Sequence, residues 1–235
     1  MLQKLTRFQT SFIKFLRSSG AFQFGCFEMK SKRVSPISVD IKGLNNGEQL
    51  LKLGRFYARA IVDRFGKDID AVCGIAYKGT PLVTATVSAI FDLYRFHVNA
   101  CYIYGSADYD GTSIIRGASL KEGSKIVIID DVIVSGNTIE NAVRTIREQV
   151  KNPRILGLMV AVDRQEIGTD RTITAVQEVS RRNMIPVEGI VTMDQALFVL
   201  NRQGDVGLDA KTYLAIKEYY AEWRPMEWEE NWNPA

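Results

Sequence analysis

Two neighbouring carboxylates, Asp130 and Asp131, close the apolar run Lys125–Ile129 and are followed by Val134, Ser135, Gly136, Asn137 and Thr138. A helical period follows, with Ile139, Ala142, Val143 and Ile146 on one face. A strand that ends in a loop of small residues and reopens as a helix is suited to hold a phosphate. Backbone N–H groups converge on the anion, the positive end of the helix dipole lies behind it, and the Ser135 and Thr138 hydroxyls add bonds. The adjacent carboxylates can accept from vicinal ribose hydroxyls and hold Mg2+ through water. An ordinary strand-to-helix turn needs only a capping Ser or Asn, and two unpaired acids at a strand end are costly. The spacing therefore predicts a ribose-phosphate cradle, with Asp130 and Asp131 facing any metal.

The surrounding elements must put that cradle at a sheet edge. Apolar runs at Ala71–Ala76, Ala100–Tyr104, Lys125–Ile129, Ile155–Val162 and Val187–Thr192 read as strands. Leu82–Phe91, Thr138–Val150 and Gln195–Asn201 read as helices, and Gly47–Arg64 carries a further helical stripe that includes Tyr57. Continuous rather than alternating apolar strands, each followed by a helix, predict an α/β fold. Its doubly wound, mostly parallel sheet has helices on both faces and ligands beyond the carboxyl ends of the strands. With 235 residues, 46% of them hydrophobic, one domain is expected over residues 1–220, with a Trp/Glu/Pro-rich extension at 221–235.

A formal charge of +3 is too near balance for a nucleic-acid footprint. Cys26, Cys73 and Cys101 are odd in number and widely spaced, which predicts a reducing compartment and burial of all three. His97 has no partner cluster that would make it a metal ligand. No apolar run approaches the ~20 residues of a membrane-spanning helix. Between Met1 and Phe27 there is no acid, and Lys4, Arg7, Lys14 and Arg17 alternate with Leu5, Phe8, Phe12, Phe15 and Leu16. That pattern is either a mitochondrial import segment, which would favour the matrix over the cytoplasm, or an ordinary amphipathic helix from about Gln3 to Arg17. Trp223, Trp228 and Trp232 crowd the carboxyl terminus and predict either contact with other protein subunits or packing on the chain's own surface.

Residues 126–138 resemble the phosphoribosyl-pyrophosphate signature of type I phosphoribosyltransferases. Their flanks resemble orotate phosphoribosyltransferases in particular, through Phe24-Gly25-X-Phe27-X-X-Lys30-Ser31, Leu53-Gly54-Arg55-Phe56-Tyr57-Ala58, Ala76-Tyr77-Lys78-Gly79-X-Pro81, Asp163-Arg164-Gln165-Glu166 and Ala175-Val176-Gln177-Glu178-Val179. The resemblance implies the type I fold with a small hood from the N-terminal segment. It also implies transfer of a phosphoribosyl group to orotate with release of pyrophosphate, in pyrimidine biosynthesis. By position, Asp130 and Asp131 would hold the ribose and its metal, and Val134 to Thr138 the 5-phosphate. Tyr77, Lys78 and Gly79 would form the pyrophosphate loop, and Lys30 and Arg164 would attend the base. Mg2+ would be required only with phosphoribosyl pyrophosphate bound, and a homodimer goes with the family.

The departures point elsewhere. Family members carry an Arg-Lys-Glu-X-Lys-Asp-His-Gly loop that supplies charge to the pyrophosphate, where this chain reads Tyr104-Gly105-Ser106-Ala107-Asp108-Tyr109-Asp110-Gly111. The cationic positions are taken by Tyr104, Gly105, Asp108 and Asp110, so like charge faces the leaving group. Losing one well-placed donor typically costs ~10²- to 10³-fold in rate. Ser38 and Val39 stand where an aromatic pair is usual, Val134 replaces a threonine and Ile75 a proline. These substitutions predict a catalytically inactive, structural or accessory subunit of a larger assembly that keeps a residual ribose-phosphate site, in the mitochondrion if the N-terminal segment directs import. The alternative is an active Mg2+-dependent enzyme that draws its cations from a partner subunit or from Arg116.

Overall fold

In the computed structural model the chain runs α1 (Arg7–Ser18), β1 (Phe22–Glu28), β2 (Val34–Val39), α2 (Gly47–Phe65), β3 (Ala71–Ile75), α3 (Gly79–Tyr94), β4 (Asn99–Tyr104), β5 (Ile114–Gly117), β6 (Lys125–Val132), α4 (Asn137–Gln149), β7 (Arg154–Asp163), α5 (Ala175–Asn183), β8 (Val187–Thr192), α6 (Met193–Arg202) and α7 (Ala210–Trp223). The structure describes residues 5–29, 32–75, 79–104, 113–133 and 137–226, except for the side chains of Lys42 and Asn137.

The central sheet has the order β5-β4-β3-β6-β7-β8. All its pairings are parallel except β4 with β5. Successive residues of the inner strands feed two different cores. Val72, Val127, Ile129, Met159 and Ala161 pack toward α1, α2, α3, α6 and α7. Ala71, Cys73, Ile126, Ile128, Leu158 and Val160 pack toward α4 and α5. With both faces covered, each strand is apolar throughout, which is why the runs showed no alternation. From β3 the chain winds one way to β4 and the other way through β6, β7 and β8. The winding reverses between β3 and β6, the point at which such sheets open a crevice for ligand.

Close packing pins that crevice. A Cβ on Gly79 would lie 2.8 Å from the main chain of Gly74, and one on Gly74 would lie 2.7 Å from the Gly79 carbonyl. The first turn of α3 can therefore rest directly on β3. A Cβ on Gly54 would meet the Ala85 carbonyl oxygen at 2.4 Å, so α2 and α3 cross backbone to backbone.

Several boundaries and one burial differ from the sequence expectation. α1 begins at Arg7 rather than Gln3, because Thr6 and Gln9 form a reciprocal capping box. Its apolar stripe is spent in folding. Phe12, Ile13 and Leu16 are buried in the core, and Phe8, Phe12 and Phe15 surround Phe56 of α2. The amphipathic pattern thus serves packing in the folded chain. No helix among the described residues is long and apolar enough to cross a membrane. Cys73 and Cys101 are buried opposite each other on β3 and β4, but Cys26 is exposed. It lies on β1, where a bulge between Phe24 and Phe27 breaks the pairing with β2. The β1–β2 hairpin is a separate two-stranded sheet, the hood over the main one. α7 crosses position 220 and ends at Trp223.

Candidate active site

Asp130 and Asp131 lie at the carboxyl end of β6, beside the reversal of winding. Asp131 is buried and Asp130 half-buried. The Asp131 N–H donates to Asp130 Oδ1 and the Val132 N–H to Asp131 Oδ1, both at 2.9 Å, so each carboxylate is oriented by the next main-chain amide. Beneath them, the fully buried Tyr57 of α2 donates its hydroxyl to the Asp130 carbonyl at 2.8 Å. Burial, with the two aspartates adding to it, pushes the Tyr57 hydroxyl well above its usual range, so it remains a neutral donor. Nothing in the spacing distinguishes Tyr57 from its neighbours on the α2 stripe.

Two acids at a strand end are a sparse ligand set, and among the described residues no group of three or more His, Cys, Asp or Glu side chains could hold a metal. That suits Mg2+, which keeps several waters and takes its remaining ligands from substrate phosphates. α4 opens at Asn137, and Thr138 is exposed in its first turn. Val134, Ser135 and Gly136 lie outside the described residues, as does the Asn137 side chain.

The neighbouring strand carries the second expected loop. Gly79 begins α3 next to the end of β3, while Tyr77 and Lys78 are outside the described residues. Tyr104, the first of the substituted cation positions, shares a 3.1 Å hydrogen bond with Thr80 of α3. Tyr102 does the same with Thr84 at 3.0 Å. Gly105, Asp108 and Asp110 fall outside the described residues. Arg116 stands exposed on β5, opposite Tyr102.

On the base side Lys30 is likewise not described, but Arg164 is, and it is almost entirely buried. Its guanidinium donates to Glu166 Oε1 at 2.9 and 2.6 Å, to Ser35 Oγ at 3.0 Å and to the Ile37 carbonyl at 3.3 Å. Burial opposes its charge, but Glu166 outweighs that and holds it firmly protonated. Arg164 thus ties the hood strand β2 to the end of β7. Gln165 adopts φ +58°, a left-handed turn unusual for a residue with a side chain, and its Oε1 accepts from the Asp194 N–H at 2.8 Å. The sequence shows the Arg164–Glu166 pair, and Ser35-Pro36 belongs to the family-like amino-terminal segment, but nothing in the spacing joins Ser35 to Arg164 or signals Asp194 or the turn at Gln165. In the hood, Val39 is buried in the core and Ser38 half-buried. Trp223 is half-buried between Arg33, 4.1 Å from the ring centroid, and Arg171, at 5.8 Å. Trp228 and Trp232 are outside the described residues. His97 rings against Phe91 at 5.0 Å.

A doubly wound sheet with paired acids at its switch point and a hood over its edge defines a phosphoribosyltransferase, and the phosphoribosyl transferase domain family model matches residues 40–186. More particularly, the chain belongs to the orotate phosphoribosyltransferase family. It is 34% identical over 221 residues to the orotate phosphoribosyltransferase of Agathobacter rectalis, covering 92% of this chain and 97% of that one. It is 36% identical over 216 residues to that of Photobacterium profundum, covering 92% and 98%. The crystal structure of orotate phosphoribosyltransferase from Francisella tularensis superposes with a TM-score of 0.75 at 28% identity, across 91% of this chain and 99% of that one.

These relatives overturn the expectation of an inactive accessory subunit. Similarity at this level runs along nearly the whole length of proteins named for the activity, not along a fold-bearing fragment. A change of charge within one eight-residue loop does not outweigh it.

Proposed function

We propose that the chain is an active, Mg2+-dependent orotate phosphoribosyltransferase of pyrimidine biosynthesis. It would join orotate to phosphoribosyl pyrophosphate to give orotidine 5'-phosphate and pyrophosphate. The observation that carries the reading is the end-to-end match to enzymes of that name, in a chain that keeps both acids at the switch point.

In this reading Asp130 and Asp131 accept from the ribose hydroxyls and hold Mg2+ through water. Residues 134–138 take the 5-phosphate at the start of α4. Mg2+, when bound with the substrate, supplies positive charge to the phosphate oxygens. The transition state resembles an oxocarbenium ion parting from pyrophosphate, so fixed positive charge near the leaving group matters most. Tyr77, Lys78 and Gly79 form the loop there, and Lys78 and Arg116, or cations of a partner subunit, supply positive charge. Lys30 and Arg164 face the base under the hood. A homodimer fits the same reading.

The test is a spectrophotometric assay of orotate loss with purified protein, phosphoribosyl pyrophosphate and Mg2+. Steady turnover that disappears on chelation and in Asp131→Asn is expected. Tight binding of phosphoribosyl pyrophosphate with no orotate loss would refute the reading.

A further inference from the structure

The carboxyl end of α7 grips the segment that carries Arg164. Ile167 donates its N–H to the Trp223 carbonyl at 2.8 Å. Arg33, stacked on the Trp223 ring, donates to the Ile167 carbonyl at 3.3 Å. The next residue, Arg224, has a side chain only 3% exposed, pairs with Asp194 at 2.6 Å and lies over the Tyr220 ring at 3.7 Å. The N–H of Asp194 is the one that donates to Gln165 Oε1 at 2.8 Å. Gln165 and Ile167, the two residues flanking Glu166, are therefore both tied to the Trp223–Arg224 turn: Ile167 directly, Gln165 through Asp194. Glu166 between them is the carboxylate that orients Arg164.

This arrangement is more than helix capping. A buried ion pair stabilises weakly compared with apolar packing of the same volume, but it fixes geometry. Here it sits against a left-handed turn at Gln165, and the residue before that turn, Arg164, reaches back to Ser35 and Ile37 of the hood. Resting on the base-side role proposed above for Arg164, we propose that Trp223 and Arg224 are positioning residues for the base: they set the 165–167 main chain, hence Glu166, hence the direction of the Arg164 guanidinium and the hood edge beside it. Neither touches substrate, and their effect falls on the pyrimidine side of the site, because the ribose-phosphate cradle hangs from β6 and Tyr57 instead.

The test compares full-length wild type, Arg224→Lys and the double variant Arg224→Met/Asp194→Asn, which removes both charges together so that neither is stranded. For the double variant the expected result is a cooperative melt, an orotate KM raised about tenfold or more and a phosphoribosyl-pyrophosphate KM within about twofold of wild type, the former corresponding to loss of one oriented contact. Arg224→Lys should recover most of the orotate KM. Hydrogen exchange at the 165–167 amides should speed up in the double variant. Unchanged exchange there, an unchanged orotate KM in a folded variant, or equal losses for both substrates would each overturn the proposal. A wild-type protein that binds no orotate sinks the base-side reading instead, and the exchange result then still decides whether the turn controls residues 165–167.

Discussion

The hydroxyl of Tyr57 holds the carbonyl of Asp130 at 2.8 Å, across 73 residues of sequence. Helix α2 thereby anchors the end of β6 from below, at the point where its two acids turn into the site. Tyr57→Phe keeps the ring and removes only that bond. A buried hydrogen bond contributes on the order of 1 kcal/mol, and a loss of about that size should appear in urea unfolding. Because the bond supports the main chain of the acids proposed to hold the ribose, affinity for phosphoribosyl pyrophosphate should fall a few-fold while the orotate KM holds. An unchanged affinity would show that the strand end keeps its position without help from α2.

Backbone contact between β3 and α3 makes a sharper prediction. With a Cβ at Gly79 only 2.8 Å from Gly74, Gly79→Ala must push the first turn of α3 off the strand. Overpacking of this kind costs about 1–3 kcal/mol, and it should also cut turnover well beyond the stability loss, since residues 76–78 connect the two elements. Gly47→Ala, at a helix start with nothing within 4 Å, is the matched control and should be neutral. Thermal melts and kcat on the two variants separate local displacement from a general sensitivity to alanine.

What was legible in the sequence was what local chemistry writes there. β3, β6, β7 and β8 announced themselves because two covered faces demand unbroken apolar runs, and Asp130–Asp131 because paired acids after such a run need a purpose. The hood was harder to read: in β1 a bulge scrambles the alternation that marks a half-exposed strand. Contacts such as Arg164 with Ser35, 129 residues apart, leave no trace in spacing at all. The functional expectation failed for a different reason. The charges of residues 104–111 give the sign of one loop's contribution, but stabilisation of a leaving pyrophosphate is summed over Mg2+, helix dipole and every nearby cation. Weakening one contributor divides a rate without abolishing it.

Asp163 sets a pH dependence whose sign can be stated in advance. Burial pushes its carboxyl up to about 6, with the Gln165 amide and Arg224 pulling the other way. The folded value lies above the unfolded one, so the folded state binds this proton more tightly. Its contribution to stability is complete below the unfolded value of about 3.9 and is lost as pH rises through the folded one. Asp163→Asn, which keeps an oxygen for the Gln165 amide, should therefore exceed wild type by roughly 2–3 kcal/mol at about pH 8 and match it near pH 4. Asp205 and Glu178 are shifted down by their partners and pull the wild-type curve the opposite way. The difference between variant and wild type, measured by chemical unfolding across that range, isolates Asp163; a flat difference would show that this carboxyl does not carry the shift.

The loop's aspartates can be tested in an active enzyme. Asp108 and Asp110 lie outside the described residues, so the prediction rests on charge and sequence position alone. Two unit charges about 8 Å apart, at an effective dielectric of about 40, repel by about 1 kcal/mol. Removing that repulsion from a departing pyrophosphate should raise kcat about fivefold per neutralised residue, given about 1.4 kcal/mol per tenfold. Asp108→Asn/Asp110→Asn should thus turn over faster than wild type at low ionic strength, with an unchanged melting temperature. The advantage should shrink as salt screens the same interaction. A double variant no faster than wild type, or one whose advantage ignores salt, would mean that these carboxylates stay away from the pyrophosphate during turnover.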